Sequence, residues 1–257
     1  MDLPLVSALV IASAVGIASG AIGAFIILKR MALVGDALSH VALPGIALAL
    51  FYGIDPFWGV LTFLLAAALI VWWLERHTTL PGDALVGLLF TTSLAVGVLT
   101  ISDGEIIHSL FGEFPALSLP AFIMTTGLAV AAAGLAISFA RQFVFRTTTP
   151  DLAGVHGVGT GFDLLLLSVF ALIVSLGIKL VGTLLMGALT IIPGSIAKNV
   201  AKSMKAFITV STLAGGIISV IGLLIGHTFS FLPGPSIVLF GVGLFLVSLV
   251  LFRPKRS

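Results

Sequence analysis

The sequence predicts an all-α integral membrane protein, a polytopic bundle of transmembrane helices. Only 9% of its 257 residues are charged and 59% are hydrophobic, whereas an average soluble domain is about 25% charged. The apolar runs are long, the mean hydropathy is +1.28, and no alternating pattern of about ten residues indicates barrel strands. The chain has no cysteine, which excludes disulfides, thiolate metal sites and cysteine nucleophiles.

Nine apolar runs, each bounded by polar residues, predict nine transmembrane helices within a single domain, residues 1–257. The first run is longer than the apolar core of a signal peptide and no basic residue precedes it, so it is interpreted as a retained helix. The second and seventh runs fall well short of the about 20 residues of a perpendicular crossing, and eight spans are therefore the alternative. The predicted spans are residues 5–28, 37–52, 56–74, 84–101, 118–140, 161–177, 180–193, 206–226 and 235–252.

The polar breaks between these runs predict how the chain is oriented in the membrane. Every second break is basic, and eleven of the twelve Lys and Arg residues fall on one side, with Lys179 as the exception. Because basic loops stay in the cytoplasm, nine spans place the N-terminus outside and the C-terminus inside. The basic breaks hold Lys29 and Arg30, Arg76, Arg141 and Arg146, Lys198, Lys202 and Lys205, and Arg253, Lys255 and Arg256.

Two ionisable residues lie within the second predicted span, in the stretch RMALVGDALSH of residues 30–40. Asp36 lies about 9 Å and His40 about 15 Å further along a helix than Arg30, which marks the cytoplasmic boundary. Residues four apart share one helix face. An ionised carboxylate at that depth costs several kcal/mol, and such a residue marks an ion pathway, a proton relay or a structural pair.

Pro44 adds a third group to this pair. Because proline has no N–H, the carbonyl of His40 loses its helical donor and is predicted to be free to bind a ligand or a neighbour. One carboxylate, one imidazole and one carbonyl make about half of a site for a divalent cation such as Zn²⁺, Mn²⁺ or Fe²⁺. The other ligands would come from another helix or from water. The competing interpretation is an Asp–His hydrogen bond that locks two helices.

Residues 30–50, RMALVGDALSHVALPGIALAL, resemble the hallmark segment of the permease subunits of ABC importers for zinc, manganese and iron. The likeness extends in the same order over most of the chain. It continues in DALVGLLFTTSLAVGVL (83–99), HSLFGEFPALS (108–118), IKLVGTLLMGALTIIPGSIAK (178–198) and PGPSIVL (233–239). In such permeases the acid and the histidine of the hallmark segment are metal-pathway residues, so the resemblance assigns that role to Asp36 and His40.

The resemblance also implies the setting in which the chain works. It implies one multi-pass permease domain in a prokaryotic cell membrane, paired with a second copy of itself. The metal ion is then the transported substrate, with zinc preferred because histidine serves it well, and no permanently bound cofactor is expected. An extracytoplasmic binding protein delivers the metal and a separate cytoplasmic ATPase drives its transport. No nucleic acid is expected as a partner.

The outer side of the chain departs from that pattern at one position. Such permeases often carry an acidic residue shortly before the segment that resembles PGPSIVL, where this chain has Ser230. The loop after the fourth predicted span contains Glu105, His108 and Glu113. This loop is interpreted either as a weakly attractive acidic entrance or as an ordinary solvated loop.

The source of energy is predicted to lie outside the chain. No G-x-x-x-x-G-K-[ST] phosphate-binding loop is present, so ATP hydrolysis is expected in a separate subunit. The stretch TTTPDLAGVHGVGTG, residues 147–161, predicts one short helix outside the membrane, with Thr149 as N-cap and Pro150 at the first position. The resemblance assigns this segment the role of a coupling helix. The alternative function is a proton-coupled secondary metal transporter in which Asp36 and His40 relay protons.

Overall fold

The computed structural model describes residues 3–100, 118–183 and 185–252, and eleven α-helices are assigned within them. The first five are α1 (Leu3–Leu28), α2 (Ala32–Phe51), α3 (Pro56–His77), α4 (Gly82–Thr100) and α5 (Leu119–Ser138). Two short helices follow, α6 (Ala140–Thr148) and α7 (Pro150–Val155). The last four are α8 (Gly161–Val181), α9 (Met186–Val200), α10 (Met204–Phe229) and α11 (Pro233–Leu251).

The polytopic helical fold class is confirmed. Each of the nine predicted spans overlaps mainly with one helix, namely α1 to α5 and α8 to α11, but the seventh begins inside α8 and covers only the first half of α9. Seven of the described helices (α1, α2, α3, α5, α8, α10 and α11) are long and apolar enough to cross a membrane, and α4 contributes the shorter apolar segment Ala84–Gly97. The number of crossings and the outward N-terminus stay predictions.

The predicted break at Lys179 is wrong. Helix α8 continues past this residue to Val181, and the chain turns at Gly182, whose φ of +85° is a conformation that glycine adopts without steric cost. Met186, the first residue of α9, then packs back against Gly177 of α8. Helix α9 therefore begins alongside the last turn of α8. Its 15 residues give a helix about 22 Å long, which is shorter than the about 30 Å hydrocarbon core.

The centre of the bundle is α1, which packs along α10, α5 and α9. Small residues let the backbones of α1 and α10 approach closely, and the hydroxyl of Ser211 donates a hydrogen bond of 2.5 Å to the carbonyl oxygen of Gly20. A Cβ on Gly215 would collide with the backbone of Gly16. Such close approach is the usual basis of helix association in a membrane, where lipid offers no hydrophobic drive.

Lys179 pairs with Asp55 at one end of the bundle. The Lys179 Nζ lies 3.1 Å from Asp55 Oδ1, and the same carboxylate caps α3 by accepting a hydrogen bond of 2.8 Å from the Phe57 N–H. Both residues were predicted on the outer side. Lys179 and Asp55 therefore lie at the same end of the bundle, as the predicted topology requires of this pair.

The Asp55 pair predicts a pH dependence of stability. Burial by itself raises the pKa of Asp55, but the Phe57 N–H and Lys179 lower it by more, so this pKa lies below its ordinary value. A lowered pKa stabilises the folded chain above the unfolded pKa, about 3.9, and this contribution disappears as the pH falls through the folded value. The pair is half exposed, so we expect a loss of only about 0.2–1 kcal/mol below pH 4.

Thermal unfolding of the purified chain between pH 3 and pH 6 measures this effect. The matched control is Asp55→Asn, whose amide oxygen can still accept from Phe57 but carries no charge. The difference in unfolding temperature between wild type and Asp55→Asn should shrink as the pH falls. A difference that is constant across this range would contradict the prediction.

Candidate metal site

Helix α2 places Asp36 and His40 on one face, as their spacing predicts. Asp36 Oδ1 lies 4.0 Å from His40 Nε2, which is longer than a hydrogen bond. The Asp36 side chain is 51% exposed, whereas that of His40 is 11% exposed. The two groups are therefore close enough to share a ligand without being bonded to each other. The competing interpretation, a structural Asp–His pair, stays open, although the two side chains are not hydrogen-bonded at this distance.

The imidazole of His40 is held by α4. Its ring meets that of Phe90 edge to face, with centroids 5.2 Å apart. Its Nδ1 is buried and has no hydrogen-bond partner within the part of the chain that the structure describes. A buried nitrogen without a partner costs about 1–3 kcal/mol. Packing against Phe90 therefore orients the ring, whereas Nδ1 makes no hydrogen bond to the described residues.

Gly187, the second residue of α9, lies directly beside Asp36. A Cβ on Gly187 would lie 2.7 Å from the Asp36 backbone nitrogen and 2.8 Å from its Cα, so only glycine allows this contact. On the α2 side, Gly35 faces Gly187, because a Cβ on Gly35 would lie 3.3 Å from the Gly187 Cα. The motif MGALT contains Gly187, the glycine at this close contact, but the sequence analysis used it only as part of the family resemblance.

Pro44 lies inside α2 without ending it, because the helix continues to Phe51. Its ring is near Gly97 of α4, where an added Cβ would approach the Pro44 Cδ to 3.8 Å. The role of the His40 carbonyl as a ligand stays a prediction. Because Pro44 has no N–H, the carbonyl of His40 has no proline donor four residues later.

Within the described residues, the candidate ligand set of one chain is incomplete. Among residues 3–100, 118–183 and 185–252, no group of three or more His, Cys, Asp or Glu side chains is placed to hold a metal ion. Asp36 and His40 supply two donors, whereas a tetrahedral zinc site takes four. The acidic loop with Glu105, His108 and Glu113 lies outside the described residues. Ser230 ends α10 in the left-handed conformation, with φ of 55°.

The predicted short helix at residues 147–161 is α7. Thr149 precedes it and Pro150 is its first residue, as predicted. The Thr149 hydroxyl does not cap α7 but donates to the Phe145 carbonyl at 3.2 Å. Two apolar side chains of α7 are exposed, Leu152 at 55% and Val155 at 83%. Helix α6, which precedes α7, was not predicted, because its sequence was interpreted only as a basic polar break.

A helical bundle with an acid and a histidine one turn apart inside a membrane helix is typical of a multi-pass membrane protein with an ion pathway. The model of the ABC 3 transport family matches residues 1–252. The chain therefore belongs to the ABC 3 transport family, and it is a permease subunit of the metal-importing ABC type in a prokaryotic plasma membrane. The resemblance inferred from residues 30–50 is confirmed.

Named relatives and a solved structure align over nearly the whole chain. The manganese import system permease protein ScaB of Streptococcus gordonii is 35% identical, over 98% of this chain and 92% of ScaB. The high-affinity zinc uptake system membrane protein ZnuB of Haemophilus influenzae is 28% identical, over 91% and 92% of the two chains. The structure of PsaBC from Streptococcus pneumoniae in complex with Fab matches with a TM-score of 0.85 and 35% identity, over 97% of this chain and 92% of the other.

Proposed function

We propose that this permease conducts a divalent transition metal ion into the cytoplasm, and that Asp36 and His40 bind the ion on its way. The observation that carries the proposal is the half-exposed Asp36 carboxylate 4.0 Å from the His40 imidazole, inside a helix that is otherwise apolar. A carboxylate and an imidazole without sulfur suit Mn²⁺, Fe²⁺ and Zn²⁺. An ionised carboxylate inside a membrane costs free energy, and a bound cation would offset that cost during transport.

Manganese is the substrate we propose first. The sequence-based preference for zinc rested on histidine alone, whereas ScaB, the more similar of the two relatives named above, is a manganese permease. ZnuB, at lower identity, is a zinc protein. The donor set itself discriminates weakly, since selectivity among these ions depends on geometry and availability more than on affinity.

We further propose that two copies of the chain form the complete site. Within the described residues one copy offers two side-chain donors, and its Asp36 side chain is 51% exposed although it lies in a membrane-spanning helix. Two copies related by a two-fold axis present the same patch to each other. Facing copies of α2 would then contribute two carboxylates and two imidazoles, a donor number that satisfies a divalent metal ion.

The partners that we propose are an extracytoplasmic metal-binding protein and a cytoplasmic ATPase. The chain contains no phosphate-binding loop, so the energy of ATP requires a second protein. Helix α7, with Leu152 and Val155 exposed, supplies an apolar knob that a cleft on the ATPase can enclose. Membership of the ABC 3 transport family gives no support to the proton-coupled alternative.

Reconstitution tests this function. The chain is placed in proteoliposomes with its ATPase and its binding protein, and uptake of Mn²⁺ and of Zn²⁺ is measured with and without ATP. We expect uptake only when all three proteins and ATP are present, because the chain itself cannot hydrolyse the nucleotide. Uptake by the chain alone, driven by a pH gradient, would contradict the proposal and favour the proton-coupled transporter.

A further inference from the structure

We propose that Asp163 is a positioning residue that joins helix α7 to the metal-binding part of the bundle. This inference rests on the proposed function, since it concerns how movement at α7 reaches Asp36 and His40. The name ionic clasp is used here for Lys29, Glu75, Arg146 and Asp163. These four side chains meet near one end of α1, α3, α6 and α8, the end predicted to be cytoplasmic.

The carboxylate of Asp163, in the first turn of α8, uses both of its oxygens. Oδ2 accepts a hydrogen bond of 2.8 Å from Arg146 Nε of α6, and Oδ1 lies 3.1 Å from Nζ of Lys29, which follows α1. The Asp163 side chain is 15% exposed and those of Lys29 and Arg146 are each 18% exposed. Because water screens ion pairs less at this burial, the carboxylate holds the ends of three helices in one arrangement.

Helix α3 joins the same cluster through its last turns. The Glu75 carboxylate lies 4.0 Å from Lys29 Nζ. The Trp72 indole N–H donates a hydrogen bond of 2.9 Å to the carbonyl oxygen of Thr160. The Arg76 guanidinium lies 4.5 Å from the centroid of the Trp72 ring and donates to the Thr160 hydroxyl. The residue that immediately precedes α8 is therefore fixed to α3.

These contacts bracket α7 on both sides. Arg146 precedes α7 and is bound to Asp163, and Thr160 follows α7 and is bound to α3. Because the residues before and after α7 are both bound to other helices, α7 cannot move without moving those helices. A displacement of α7 by the ATPase therefore pulls on α1, α3 and α8 together.

The path from α3 to the metal site is a close helix contact. A Cβ on Gly45 of α2 would lie 2.6 Å from the carbonyl oxygen of Gly59 of α3, so the two backbones touch without side chains between them. Helix α2 carries Asp36 and His40. Closely packed helices of this kind move together as rigid bodies. The ionic clasp connects α7 to α3, and α3 contacts α2.

The test measures Mn²⁺ uptake and ATP hydrolysis on the same proteoliposomes, which contain the permease, its ATPase and its binding protein. For Asp163→Asn we expect the ratio of Mn²⁺ transported to ATP hydrolysed to fall about tenfold, within the range of mutations along such networks. Hydrolysis itself should persist, because the ATPase still binds α7. Asp163→Glu, which retains the charge, should restore most of the ratio.

A matched pair of variants on α6 provides the control. Arg146→Gln removes the bond to Asp163 and should lower the ratio as Asp163→Asn does, which also keeps the test decisive if Asp163→Asn does not assemble. Arg141→Gln removes an exposed guanidinium from the same helix outside the clasp and should retain the wild-type ratio.

Two results would overturn the inference. One is an unchanged ratio in both Asp163→Asn and Arg146→Gln, and the other is a proportional fall of uptake and hydrolysis, which indicates a purely structural role. The wild-type complex separates this failure from that of the proposed function. If the wild type shows no ATP-driven Mn²⁺ uptake, the proposed function fails; if it does and the variants match its ratio, only the clasp fails.

Discussion

Asp36→Asn is expected to reduce metal uptake to background while the permease still assembles with its ATPase. The substitution removes the carboxylate but keeps the size of the side chain. The Asp36 carboxylate makes no hydrogen bond within the described residues and its nearest ionisable neighbour is His40 at 4.0 Å, so little folding energy is lost. Loss of groups that merely support a metal ligand costs about 10- to 100-fold, and loss of the ligand itself should exceed that.

His40→Ala should have the same effect on uptake for a related reason. It removes the imidazole donor and also the edge-to-face contact with Phe90, which leaves a cavity and lowers stability. Assembly is therefore checked by size-exclusion chromatography before uptake is measured. Ser39→Ala is the control on the same helix, since the Ser39 hydroxyl bonds its own helix at the Gly35 carbonyl and should be dispensable.

Wild-type uptake in both Asp36→Asn and His40→Ala would return the pair to a structural role. Metal binding gives a second measurement. Titration of the detergent-solubilised complex with Mn²⁺ should give a bound ion for the wild type and for Ser39→Ala but none for Asp36→Asn. Equal binding by the wild type and Asp36→Asn would place the transported ion elsewhere.

Gly187→Ala is expected to disable transport by a purely steric route. The added Cβ would lie 2.7 Å from the Asp36 backbone nitrogen, and because backbone atoms cannot rotate away, α9 and α2 must separate. Overpacking of this kind costs about 1–3 kcal/mol, which exceeds the roughly 1 kcal/mol that alanine gains over glycine in a helix. We therefore expect lower thermal stability, together with weaker Mn²⁺ uptake because Asp36 is displaced.

Gly134→Ala is the matched control for this substitution. Nothing lies within 4 Å of the position that its Cβ would occupy, so the helix gain is not opposed. This variant should be as stable as the wild type or more so, with wild-type uptake. If Gly187→Ala behaved like Gly134→Ala, the close contact between α9 and Asp36 would not position the site.

The local pattern of the sequence was sufficient for several features of this protein. Hydropathy averaged over a run of residues identifies apolar helices, because each such helix satisfies its own backbone in lipid. The four-residue interval between Asp36 and His40 placed both on one face, since helix geometry fixes that relation. Pro150 at the start of α7 followed from the same kind of local rule.

Contacts between helices were decided by the tertiary structure. Helix α8 continues past Lys179 to Val181, and Lys179 pairs with the Asp55 carboxylate, 124 residues away along the chain. The meeting of Gly187 with Asp36, and of Asp163 with Lys29 and Arg146, likewise depended on how the helices are rotated and packed. An apolar helix has several similar faces. Its sequence therefore specifies that the helix forms, but the packing of the whole bundle determines which helices it contacts.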